Sequence, residues 1–232
     1  AGLFQRYDLV SLPVVNDQRK LLGRITIDDI IDVMKEEASE DILQLAGAGG
    51  EDLASDRILR SAFLRLPWLI TNLFGGLLTG YFMWYFRATL DQIIALITFI
   101  PVITGMGGNV GTQSASVTVR GFALGRIERS NINRFLFKEV RVGLLMGIVC
   151  GFGLTCVSWI WHGNVFLGML VGFSLFSAMT VASSMGTLIP AIFEQMDIDP
   201  ALASGPFVTT LNDVTGILIY LSIATTFLQW LR

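Results

Sequence analysis

The sequence predicts an all-α integral membrane domain of five transmembrane helices, preceded by a short mixed α/β fragment. Three observations carry this prediction. The chain is 53% hydrophobic and 15% charged, whereas a soluble domain has about 25% charged residues. Five apolar stretches follow one another after residue 66, each about 20 residues or more and so long enough for a hydrocarbon core of ~30 Å. Trp68, Trp84, Trp159, Trp161 and Trp230 mark their edges, as interfacial anchors do. The net charge of −3 is mild. No basic run points to nucleic acid.

Residues 1–46 are soluble in character. Ser11–Val15 and Leu21–Thr26 read as strands around the turn Asn16–Lys20. Thr26 followed by Asp29 is a capping-box start for a helix Ile27–Leu45. Such a fragment is too small to bury its own core. It opens in what reads as the middle of a domain, so further protein is expected upstream. A glycine-rich break at Gly47–Gly50 precedes a predicted connector helix, Asp52–Leu66, carrying Arg57, Arg60 and Arg65.

The spans are placed at Pro67–Phe86, Gln92–Val119, Val140–Trp161, Val165–Phe193 and Ala201–Trp230. The loop after the second span holds Arg120, Arg126, Arg129, Arg134, Lys138 and Arg141, while the turns at Arg87–Asp91 and His162–Asn164 are nearly bare of positive charge. The positive-inside rule therefore puts the N-terminus in the cytoplasm and the C-terminus outside. Small residues at helical spacing, Gly76/Gly80 and Gly143/Gly147/Gly151, allow close helix approach. Cys150 and Cys156 read as packing residues.

The residue that asks most for explanation is Asp213, in the middle of the fifth span. A carboxylate there costs at least ~2.5–3.5 kcal/mol to insert, so it faces a bundle interior or a water-filled path. It binds an ion, relays a proton, pairs with a base, or simply packs through hydrogen bonds. Neither this span nor Gln92–Val119 contains Lys or Arg, so a cation is the natural counter-charge. Gly205, Thr209 and Asp213 are spaced by four and share a helical face, with Thr210 and Asn212 to the sides. Gly205-Pro206 should break or open the helix. The second span, with Pro101, four glycines and the amides of Asn109 and Gln113, is expected to be interrupted and to expose carbonyls, as ion-binding membrane helices do. Oxygen ligands without His or Cys point to a hard ion such as Mg²⁺, Ca²⁺ or Na⁺. One carboxylate per chain suits a partly hydrated Mg²⁺.

A second acidic set runs along Ile27–Leu45: Asp28, Asp29, Asp32, Glu36, Glu37, Glu40 and Asp41. Its i,i+4 like charges repel unless neutralised, so it is either a solvated face or a divalent sensor. Asp197 and Asp199 add acid between spans four and five. Enzyme chemistry has no constellation to rest on: His162 lies at an outer turn, Ser114 and Ser116 have no base in sight, and there is no phosphate-binding loop.

Three ordered motifs, Asp28–Asp41, Gly107-Gly-Asn-Val-Gly-Thr-Gln113 and Gly205–Gly216, resemble the MgtE family of Mg²⁺ channels and transporters. The resemblance extends over the whole chain. It implies a homodimer with ten spans and an axial pore lined by the second and fifth spans. It also implies a cytoplasmic N-terminal domain and a tandem CBS pair, of which residues 1–46 would be the end, 47–66 the connecting or plug helix and 67–232 the pore domain. By position, Asp213 matches the pore carboxylate for hydrated Mg²⁺, and Gly205 and Thr209 the pore-facing positions before it. Asn109, Gln113 and Asn212 fall among pore-lining positions. Asp29, Asp32, Glu37, Glu40, Asp41 and Asp199 match regulatory Mg²⁺-binding acids. The expected protein is a multi-pass component of a bacterial inner membrane, surrounded by lipid, that admits Mg²⁺ and closes when cytosolic Mg²⁺ is high. A proton-coupled divalent cation transporter using Asp213 as a relay is the rival. Five spans without an internal repeat argue against it.

Overall fold

The computed structural model describes residues 2–48, 57–127 and 131–231. A one-and-a-half-turn helix α1 (Gly2–Tyr7) leads into an antiparallel hairpin, β1 (Ser11–Val15) and β2 (Leu21–Thr26), with an irregularity at Val14/Val15. Asn16 shapes the turn: its Oδ1 accepts from the amides of Gln18 and Lys20 at 3.0 and 2.9 Å. Helix α2 (Ile27–Leu45) starts where the sequence places it. Asp29 Oδ2 accepts from both the amide and the hydroxyl of Thr26, each at 2.7 Å, which fixes the first turn.

Five described helices are long and apolar enough to cross a membrane: α3 (Ile58–Tyr85), α5 (Ala95–Ala123), α6 (Ile132–His162), α7 (Val165–Gln195) and α9 (Pro206–Thr226). Short helices α4 (Arg87–Gln92), α8 (Pro200–Ser204) and α10 (Leu228–Leu231) complete the chain. The N-terminal third of the expected connector helix, residues 52–56, lies outside the described residues. Its remainder is no separate element, because α3 runs unbroken from Ile58 through Pro67 into the first span.

Helix α7 is the axis of the bundle, packed on α6, α5 and α9. Leu96, Phe99 and Ile103 of α5, Val171, Leu175 and Met179 of α7, and Ile217, Tyr220 and Leu221 of α9 form the fully buried core. The Tyr220 hydroxyl donates to the Leu96 carbonyl at 2.9 Å, joining α9 to the start of α5. Helices α3 and α6 flank this core and turn apolar side chains such as Leu73, Leu77, Leu145 and Ile148 outward. Hydrocarbon solvates such faces as well as a protein core would.

The expected interruption of the second span is not present: α5 is one helix through Pro101 and all four glycines. Gly107, Gly108 and Gly111 are buried contact points against α7 and α9. The glycines serve close approach, and packing offsets their poor helix propensity. The fifth span does break. Gly205, at φ −79° and ψ −111°, separates α8 from α9, and Pro206 occupies the first turn of α9. Gly143, Gly147 and Gly151 press on α7 as anticipated, whereas Gly76 and Gly80 face open space and Gly75 makes the contact, against Thr210.

Among the described glycines, the closest approach to another helix's backbone joins Gly186 of α7 to the Gly111 carbonyl of α5. A methyl at 186 would collide with rigid backbone, so Gly186→Ala should cost about 1–3 kcal/mol and lower the thermal unfolding midpoint in detergent. Gly153→Ala, where nothing lies within 4 Å, should leave the midpoint unchanged or raise it.

Candidate cation site

Thr209 and Asp213 sit one turn apart on α9, behind the helix break. Together with Gly205 and Pro206 they line a cleft of about 270 Å³. Asn72 and Gly76 of α3 form one wall and Thr112 of α5 another, and Leu45 and Ala46 at the end of α2 cover the mouth. Gly108 of α5 faces α9 without a side chain. A Cβ built there would lie 3.6 Å from Asp213 Oδ1 and 3.5 Å from Thr209 Cγ2, ordinary contact distances that put α5 directly beside the carboxylate.

The hydroxyls around the cleft are already oriented. Thr112 Oγ1 donates to the Gly108 carbonyl at 2.9 Å and lies 3.5 Å from Thr209 Oγ1. Thr209 Oγ1 donates to the Gly205 carbonyl at 3.3 Å, and Thr210 Oγ1 to Asn72 Oδ1 at 3.3 Å. Their lone pairs remain available as acceptors. Asp213 is half-buried and, among the described residues, has no hydrogen-bond or ion-pair partner. No group of three or more His, Cys, Asp or Glu gathers among the described residues, so within one chain Asp213 acts with hydroxyl, amide and water oxygens only. Six waters at ~30 Å³ each fill roughly 180 Å³, which the cleft accommodates.

Three expected lining residues lie elsewhere. Asn109 and Gln113 are exposed on α5, about 100° around the helix from Gly108 and Thr112, and do not reach the cleft. Asn212 is 1% exposed and is wedged against Gly111 and Val208, with neither amide atom hydrogen-bonded. Gly205 is buried beneath the carbonyls of Leu45 and Gln44. Asn72 and Thr112 went unanticipated, and Thr210, expected to the side of the Asp213 face, also lines the cleft. Asn72 had a readable signal, a carboxamide inside an apolar span.

A second buried carboxylate, Glu139 of α6, was also missed because it stands one residue before the predicted third span. Its Oε2 accepts from Ser114 Oγ of α5 at 3.2 Å, and its backbone carbonyl from Ser183 Oγ of α7 at 2.9 Å. Lys138 lies 3.8 Å away. This cluster ties three helices together.

The acids of α2 divide. Asp29 is held by Thr26, which draws its pKa below the usual carboxylate range. Asp32 and Glu37 are exposed, and Glu40 accepts from Gln44 Nε2 at 3.0 Å. Asp41 points toward the membrane domain, beside a small pocket lined by Ser116 and Arg120 of α5. Burial, and then the charge of Asp199, push its pKa up; Arg120 acts against them, and Glu37 and Glu40 add to the rise. Asp199 caps α8, its Oδ1 accepting from the Ala201 amide at 2.9 Å.

A family model described as a divalent cation transporter, MgtE, matches residues 100–223, which include α7 and the cleft-lining parts of α5 and α9. The chain belongs to the MgtE family. It is 43% identical over 229 residues to the magnesium transporter MgtE of Bacillus subtilis, covering 99% of this chain and 51% of that protein. The corresponding Enterococcus faecalis protein is 42% identical and that of Thermus thermophilus 37% identical, each again over 99% of this chain and 51% of its own length. The chain thus spans about half the length of the curated relatives it matches. Membership in a transporter family, with five apolar helices, makes this a multi-pass membrane protein rather than an enzyme.

The raised pKa of Asp41 has a defined sign. Its folded value lies above its unfolded one, so its contribution to stability is present at acid pH and lost as pH rises through the raised pKa. Asp41→Asn should therefore raise the unfolding midpoint slightly at pH 7.5 in EDTA, within the ~0–1 kcal/mol of solvent-screened charge contacts. At pH 3.5 it should make no difference. Thermal scans at both pH values read this directly.

Proposed function

We propose that this chain forms the pore and part of the gate of a Mg²⁺ transporter. The single observation that carries the reading is the unpartnered carboxylate of Asp213 in an oxygen-lined cleft within a five-helix membrane domain. The relatives' description as magnesium transporters supports Mg²⁺ as the substrate. Mg²⁺ dehydrates reluctantly, and one carboxylate plus water-mediated contacts to Thr112, Thr209 and Asn72 suits an ion that keeps its waters. The cleft is open on one side, and a homodimer would close it with a second copy, placing two Asp213 carboxylates around one path. Loop charge sets the basic end of the bundle in the cytoplasm, with transport directed inward.

Gating would act through α2. Its C-terminal residues cover the mouth, and Gly47 rests on Pro206 and Trp68. With cytosolic Mg²⁺ high, ions between Asp41 and Asp199, aided by Glu37 and Glu40, hold α2 over the cleft. When Mg²⁺ falls, the uncompensated carboxylates repel and α2 leaves. Asp32 lies farther along the same helix and would serve any contact α2 makes upstream. Asp29 already has a structural task at the start of α2.

Mg²⁺ flux into liposomes at clamped internal pH tests the pore. Asp213→Ala should lose nearly all flux, and wild-type flux should ignore a proton gradient. Flux that follows the gradient, with coupling lost in Asp213→Asn, would replace this reading with the proton-coupled transporter. For the gate, Glu40→Ala combined with Asp199→Ala should weaken inhibition by Mg²⁺ on the cytoplasmic side. Unchanged inhibition would dismiss these residues.

A further inference from the structure

At the end of the bundle where α5 passes into α6, a cleft of about 1010 Å³ is lined by four cationic side chains, Arg126, Arg134, Lys138 and Arg141. Lys138 is shared with Glu139 at 3.8 Å and lies 5.2 Å from the Phe135 ring. Arg126, Arg134 and Arg141 have no ion-pair partner among the described residues. Three positive charges are thus gathered, uncompensated among the described residues, where a membrane span ends. Neither the Asp213 cleft nor the α2 acids use them.

The chemistry changes along one face of α6. Arg134, Lys138, Arg141, Leu145, Ile148 and Phe152 follow a spacing of four or three, so they form a single stripe. All six are exposed. The stripe is cationic for two turns and then apolar for two, and Phe137 and Leu145 also line the cleft wall. A soluble anion would need only the upper part. A molecule that uses both has an anionic head at the membrane boundary and a hydrocarbon chain running inward. From this we infer that the cleft is a binding site for an anionic phospholipid, its phosphate held by Arg134, Arg141 and Arg126 and an acyl chain lying along Leu145, Ile148 and Phe152. Arginine suits the task, since its planar fork meets phosphate oxygens in pairs, and basic pockets at the membrane boundary bind anionic headgroups.

The site also touches the transport machinery. Lys138 stands between the cleft and buried Glu139, whose partner Ser114 belongs to α5, one wall of the Asp213 cleft. A headgroup that draws Lys138 outward would alter the charge balance at the Glu139 cluster.

The test is retention of phosphatidylglycerol by the purified protein in mixed micelles, counted by native mass spectrometry beside phosphatidylcholine. Wild-type protein should keep phosphatidylglycerol in preference to phosphatidylcholine. Arg134→Gln with Arg141→Gln should weaken that preference roughly thirty-fold, at about five-fold per basic residue. Arg87→Gln, which removes a positive charge from α4 outside the cleft, should leave it intact. An unchanged preference in the double variant, or equal loss in Arg87→Gln, would overturn the site. Displacement of the lipid by millimolar inorganic phosphate, with no dependence on acyl chains, would make it a soluble-anion site and overturn the lipid assignment.

Discussion

The structure depends on how closely α5 approaches α7 and α9. Gly111 meets Gly186 of α7 backbone to backbone, and Gly108 and Gly111 leave α9 room for Asp213 and Asn212 beside α5. Within a bilayer there is little hydrophobic force between helices, so van der Waals contact at small residues has to supply the adhesion. The same contact decides where polar groups can go. A methyl at 108 would meet the Asp213 carboxylate at ordinary contact distance, 3.6 Å, whereas one at 111 would displace the Asn212 amide. Glycine at 111 therefore also makes room for a buried carboxamide.

That cleft combines an exposed demand with a modest supply. Asp213 has no partner among the described residues, and the hydroxyls of Thr112 and Thr209 are fixed by bonds to their own helix backbones, and that of Thr210 by Asn72, rather than by the carboxylate. An ion stripped of water would find too few ligands within one chain. A hydrated ion would meet the oxygens of Thr112, Thr209 and Asn72 through its waters. Over this site lies the end of α2, whose Asp41 feels the charge of Asp199 between α7 and α8, close to the helix break at Gly205-Pro206.

The sequence made some parts of this legible and hid others for physical reasons. Five spans, the hairpin, the α2 cap and the break at Gly205 follow from composition, turn chemistry and proline, all local signals. Asp213 stood out because a mid-membrane carboxylate is costly wherever it lies. The continuity of α5 was not legible, because glycine and proline read as breakers unless the packing that compensates them is known. Asn109 and Gln113 lie outside this cleft for a related reason: spacing shows that two residues share a face, but not which face meets α9. Asn212 and Glu139 are buried through tertiary contacts with Gly111 and with Ser114, which no single stretch of sequence displays. The role of the α2 terminus at the mouth is likewise a long-range fact.

The central claim is that Asp213 engages its cation through retained waters. Hexaamminecobalt(III), whose ammonia ligands do not exchange and whose size approximates hydrated Mg²⁺, addresses it most directly when added to the Mg²⁺ flux measurement. The account predicts block of flux that is relieved competitively by Mg²⁺. Undiminished flux at concentrations of the complex well above those of Mg²⁺ would show that the site takes a stripped ion, and would contradict the account.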